Sequence, residues 1–176
     1  MGAFSGMKSA KRGFASNYLK APGTYMVRID ECAFFEYKGP KGVDMEMWKT
    51  TMTVLAVQEG ETRQGEVCSI SYPVGGNITK QTFQSNLKGF LCSVLECEED
   101  DIGEDETKQC LEAGSPLLGL VCVVTCRMRK SKKSKNEETG EPNEFMVASW
   151  SPAMSKKEIK EALEPAELKR FFPNGL

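Results

Sequence analysis

The sequence predicts a mainly β protein with helices, a small five-stranded barrel. Five runs have strand-like apolar patterns, one amphipathic helical run falls between the third and fourth of them, and Gly- or Pro-bearing turn signals separate them. Residues 1–21 mix Gly, Ser, Ala, Lys and Arg with Phe4, Phe14 and Tyr18 at no steady period, and are expected to form an extended arm. Ala21-Pro22-Gly23 signals a turn, after which Tyr25, Val27, Ile29, Ala33 and Phe35 follow the alternation of a half-buried strand over 23–37. Two glycines and a proline within 38–42 predict a hairpin loop, and a second strand rich in Thr, Val, Met and Trp follows over 43–58. Beyond a turn at Gly60, Val67, Ile70 and Tyr72 mark a third strand over 65–74, ended by Gly75-Gly76-Asn77.

Thr79 is placed to cap a helix over 80–96, where Phe83, Leu87, Phe90, Leu91, Val94 and Leu95 recur at three-and-four spacing. A further turn of helix is expected over 107–113, broken by Gly114-Ser115-Pro116. The run 117–128 is apolar on both faces and then turns basic, as a central strand does when it leaves a core. Thr139-Gly140 is the expected hairpin tip, and Phe145, Met146, Val147, Ala148 and Trp150 form the fifth strand, stopped by Pro152. Ser155 and Glu158 match a capping box that opens a last helix, and Pro165 is expected to break it into two short pieces. The expected organisation is an arm over 1–21, a barrel domain over 22–152 and a helical extension over 153–176. Three strands, a helix, then two strands joined by a long hairpin is the element order of an OB-fold, a five-stranded Greek-key barrel. An SH3-like barrel lacks the helix between strands 3 and 4.

Composition narrows the function classes. With 176 residues, 40% hydrophobic and 27% charged, the chain falls with ordinary single-domain globular proteins rather than disordered or membrane classes. Its longest apolar run, 117–126, is too short to cross a bilayer, and no secretory signal opens the chain, so a cytoplasmic protein without a membrane partner is expected. Seven cysteines, an odd number without a C-x-x-C pair, indicate free thiols in a reducing compartment. The absence of histidine removes the commonest zinc ligand and the commonest general base together. With no phosphate-cradling loop and no nucleophile elbow either, a binding protein without cofactor or metal is expected rather than an enzyme. Scattered Asp and Glu residues leave a carboxylate-and-metal nuclease as a distant third reading.

The net charge is only −2, but the charges are segregated. Residues 127–135 hold six basic side chains and no acid, whereas 96–106 hold eight acids and no base. Phosphates attract Lys and Arg regardless of sequence, and bases stack on aromatic faces, so a nucleic-acid groove needs both. The candidate clamp is Arg127, Arg129, Lys130, Lys132, Lys133 and Lys135 on the fourth strand and its loop. Lys38 and Lys41 at the first hairpin tip are expected opposite it, with Tyr37 beside them and Phe34 or Phe35 just before. Trp48 and Lys49 on the second strand and Tyr72 on the third complete the candidate face, although the strand period leaves open whether Trp48 faces ligand or core. Tyr25, Phe35, Phe90 and Phe145 are assigned to core packing, and Cys122 and Cys126 to burial.

Ala21-Pro22-Gly23-Thr24-Tyr25-Met26-Val27, Gly65-Glu66-Val67, Asn86-Leu87-Lys88-Gly89-Phe90-Leu91 and Leu118-Gly119-Leu120-Val121 before the basic hairpin are similar to segments of phage-type single-stranded DNA-binding proteins. The resemblance spans most of 21–152. It implies binding of single-stranded DNA without strong sequence preference, self-association, and work beside replication, recombination or repair proteins. One departure is that the chain ends Lys169-Arg170-Phe171-Phe172-Pro173-Asn174-Gly175-Leu176 rather than in the acidic tail common in such proteins, so tail-mediated recruitment is not implied. The competing reading is a protein-interaction module, a replication or virion accessory factor, whose acidic and basic segments pair between subunits without touching nucleic acid.

Overall fold

The computed structural model describes residues 22–39, 42–76, 78–135 and 139–176, except the side chains of 132–134. The arm expected over 1–21, Lys41, and the side chains of Lys132 and Lys133 therefore lie outside the described residues. Five antiparallel strands, β1 (Gly23–Lys38), β2 (Asp44–Glu59), β3 (Val67–Val74), β4 (Val121–Lys135) and β5 (Pro142–Trp150), form one sheet in the order β3-β2-β1-β4-β5. The helices are α1 (Lys80–Leu95), α2 (Glu104–Gln109), α3 (Lys156–Ala162) and α4 (Pro165–Phe171). The protein is thus mainly β with a few helices. A closed barrel requires β3 to pair with β5; among the described residues the sheet stays open there.

Local chemistry accounts for the helix ends. Thr79, in extended conformation, accepts the Thr82 amide N–H through its hydroxyl at 3.2 Å and starts α1. Ser155 and Glu158 close the expected capping box of α3, and Pro165 opens α4 at its first turn, where its missing N–H costs nothing. The helix expected over 107–113 instead occupies Glu104–Gln109. Its acids are the cause: Glu104, Asp105 and Glu106 fill the first turn, where the helix dipole favours negative charge, and Lys108 follows in the last turn, 2.7 Å from Glu104.

The two faces of the sheet build two cores. On the inner face Tyr25, Ile29, Trp48 and Met52 enclose Phe90 and Leu91 of α1. Tyr25 is sealed by Gly60, whose φ of 122° and lack of a Cβ let its backbone lie against the phenol. On the outer face Met26, Leu55 and Val121 are covered by Ile159, Leu163 and Phe171 of the C-terminal helices. Arg28 fastens this cover: it bonds Asp30 through Nε at 2.7 Å, donates Nη1 to the Phe171 carbonyl at 2.5 Å, and lies 5.7 Å from the Phe172 ring centre. Among the described residues no helix is long and apolar enough to cross a membrane.

Tyr25 and Phe90 are in the core as expected, but Phe35 and Phe145 are not, being 39% and 49% exposed. The reason is reach. β1 pairs with β4 only over Gly23–Arg28, so the far end of β1–β2 and the far end of β4–β5 extend beyond the area that the helices cover.

Candidate nucleic-acid interface

β4 passes from core to solvent in one step. Cys122, Val124 and Cys126 are buried on the inner face, and from Arg127 to Lys130 every side chain is exposed. Cys126 faces Gly23, the first residue of β1, so the strand continues past its neighbour and pairs with β5 alone. A two-stranded ribbon exposes both faces, and alternation sends Arg127 and Arg129 to the outer one. Their cross-strand partners there are Val147 and Phe145. Arg129 and Phe145 thus stand directly opposite each other, a cation beside an exposed ring. Lys130 turns to the other face opposite Glu144, and Lys135 stands opposite Pro142. Among the described residues none of Arg127, Arg129, Lys130 and Lys135 closes an ion pair.

The first hairpin differs. Lys38 is engaged by the Asp44 carboxylate across the β1–β2 pair. The Tyr37 hydroxyl donates to Met45 Sδ at 3.6 Å, and its ring lies 6.4 Å from that of Phe35. Lys49 is half-buried, in register between Ala33 and Ser71. On the opposite face of the hairpin, Phe34 lies 6.1 Å from Phe83 of α1.

Trp48 and Tyr72 do not belong to a stacking surface. Trp48 is 1% exposed and donates its indole N–H to Thr50 Oγ1 at 3.0 Å, which satisfies the only polar atom of a large apolar group and lets it enter the core. Tyr72 lies beside it in register, 5.8 Å from Phe90, and its hydroxyl accepts the Trp150 indole N–H at 2.9 Å. Burial raises its phenol above the ordinary tyrosine range, with the Trp150 hydrogen bond acting in the opposite direction.

The two hairpins, expected opposite each other, are carried by the two ends of β1. β4 runs past Gly23, and the β1–β2 tip lies beyond Lys38, so the hairpins leave β1 at opposite ends. The ribbon carries Arg127 and Arg129 on one face with Phe145, Lys130 on the other and Lys135 further along, whereas Lys38, Tyr37 and Lys49 belong to the β1–β2 pair. Sequence patterning assigns Phe145 to the core and leaves Phe35 between core and candidate face because both sit in apolar alternation, and both are exposed among the described residues. Among the described residues no cluster of acids and cysteines is arranged to hold a metal ion.

No protein-family model matches the chain, and no curated protein matches it.

Proposed function

We propose that the chain binds single-stranded DNA without strong sequence preference, gripping phosphates along the β4–β5 ribbon of an OB-type barrel that is left open at one seam. The observation that carries this reading is the Arg129–Phe145 pair, with Arg127, Lys130 and Lys135 exposed and free of ion pairs among the described residues. Cations that have no protein counter-charge keep their full attraction for phosphate, and an exposed ring beside them offers a face to any base. The OB reading is supported by strand order: β3-β2-β1-β4-β5 is that of such a barrel cut between strands 3 and 5, with α1 at the expected place between β3 and β4. Protection or organisation of single strands in phage replication, recombination or repair is the role that the sequence resemblance adds.

The test is fluorescence anisotropy of a labelled oligo(dT) strand titrated at low and then rising salt. Saturable binding that weakens steeply with salt is expected, as is a large loss on changing Arg127 and Arg129 to Glu. Silence at low salt sinks the reading. A duplex competitor should displace the strand poorly, because the exposed ring has no base to stack on in a duplex.

A second reading is favoured by one feature. The acids from Glu98 to Asp101 and from Glu104 to Glu106 are all exposed, and they offer a counter-charge for the basic ribbon of another copy. Salt-sensitive self-association in sedimentation without any oligonucleotide binding would select this protein-interaction module instead.

A further inference from the structure

α1 ends by folding the chain back over its last turn. Glu96 takes φ 54°, the only non-glycine residue with positive φ among the described residues, and the amide N–H groups of Glu96 and Cys97 both reach the Cys92 carbonyl, the second at 3.2 Å. The six-residue ring so closed has a cysteine at each end. The Cys97 thiol is near enough to raise the Cys92 thiol, and Cys92 Sγ lies 3.6 Å from the Glu98 carbonyl.

These two cysteines differ from the other five. Cys32, Cys68, Cys110, Cys122 and Cys126 are buried, whereas Cys92 and Cys97 are partly exposed. Burial pushes the thiols of Cys32, Cys68 and Cys122 up to about 12 and that of Cys126 to about 11, which keeps them protonated and unreactive. Cys92 is also raised, by desolvation first and the Cys97 thiol second, while Lys88 one turn back pulls it down.

We propose that Cys92 and Cys97 are a modification site that closes reversibly to an intramolecular disulfide by exchange with a small disulfide. One cysteine, as thiolate, attacks a sulfur of the small disulfide, giving a mixed disulfide and releasing one small thiolate. The second thiolate then attacks the protein-bound sulfur, closes the ring and releases the other half. The two protons lost by the protein pass to the two released thiolates, so the dithiol is oxidised by two electrons and the small disulfide is reduced to two thiols. The backbone ring folds Cys97 back on the turn that carries Cys92 before any oxidant arrives, and the product ties the start of the acidic run 96–106 to the last turn of α1. Because Glu96, Glu98, Glu99 and Asp100 are exposed beside the pair, a cationic disulfide is the favoured reactant.

The experiment treats the folded full chain with cystamine at mildly alkaline pH, blocks free thiols with iodoacetamide, and maps the tryptic peptide over 89–108, which carries both cysteines. The expected product is that peptide unalkylated and lighter by two hydrogens, with the five buried cysteines still reduced and both thiols regained on dithiothreitol treatment. The Cys97→Ser variant should stop at a cystamine adduct on Cys92, and Cys92→Ser at one on Cys97. A wild-type protein that accumulates the mixed disulfide without closing it overturns the proposal. So does one in which both thiols remain alkylatable after a treatment that modifies the unfolded chain.

Discussion

Trp150 donates its indole N–H to the Tyr72 hydroxyl at 2.9 Å, and this bond spans the gap between β5 and β3, the two edges of the open sheet. Phe90 lies against both rings, 5.8 Å from Tyr72 and 4.7 Å from Trp150, so α1 supports the seam from within. Among the described residues, side chains join these edges without a backbone ladder between them.

Changing Trp150 to Phe, or Tyr72 to Phe, leaves the other partner's polar atom unsatisfied and should cost about 1–3 kcal/mol in urea denaturation. The double variant should cost less than the sum of the two, because neither group is then orphaned. Strictly additive losses would show that the bond contributes nothing.

Trp48, which the strand period leaves open between ligand and core, should act as a core residue, and Phe145, which patterning assigns to the core, should act at the ligand. Trp48→Ala opens a cavity in the inner core and is expected to cost about 3–5 kcal/mol of stability. Phe145→Ala should stay within about 0.5 kcal/mol in stability yet weaken oligo(dT) binding by about 1–3 kcal/mol, read by anisotropy. An intact fold with lost binding in the Trp48 variant would reverse the assignment.

Each phosphate contact on a single strand contributes about 0.7 to the slope of log K against log salt. Arg127→Ala and Arg129→Ala should therefore each flatten the slope by about that amount, for every base sequence alike. The measurement is an anisotropy titration over a salt series. An unchanged slope in both variants would remove these residues from the interface.

Stability should fall at alkaline pH. The thiols of Cys32, Cys68, Cys122 and Cys126 are pushed up to about 12 or 11 in the folded chain, mainly by burial. Their stabilising contribution is complete below the unfolded thiol value of about 8.5 and is lost as pH rises above it, at up to about 1.4 kcal/mol per pH unit for each thiol. Tyr72, also raised by burial, adds to the fall above about pH 10. Urea midpoints under reducing conditions should hold steady from pH 6 to 8 and then drop steeply; a flat profile to pH 10 would mean that these thiols ionise in place.

Elements set by a few neighbouring residues are legible in the sequence alone. The Thr79 cap, the Ser155–Glu158 box and the Pro165 break all occur where the sequence indicates, and β1 and β2 end within a residue or so of the alternation that predicts them. α2 starts earlier than its sequence suggests, because a dense run of acids resembles a solvated loop although the same acids suit the first turn of a helix.

By itself, then, the sequence determined the order of strands and helices and the basic stretch on β4, since capping, turn chemistry and alternation act over a few residues. Tertiary structure decided which side chains of that stretch share a face. β1 changes register at three places, between Thr24 and Tyr25, Met26 and Val27, and Ile29 and Glu31, and a shift of one residue turns a side chain from core to solvent. What covers a face is likewise set at a distance: α1 closes over Trp48, while nothing among the described residues closes over Phe145 beside Arg129. The accessible Cys92–Cys97 pair has the same origin, in a left-handed turn at Glu96 that no glycine or asparagine announced.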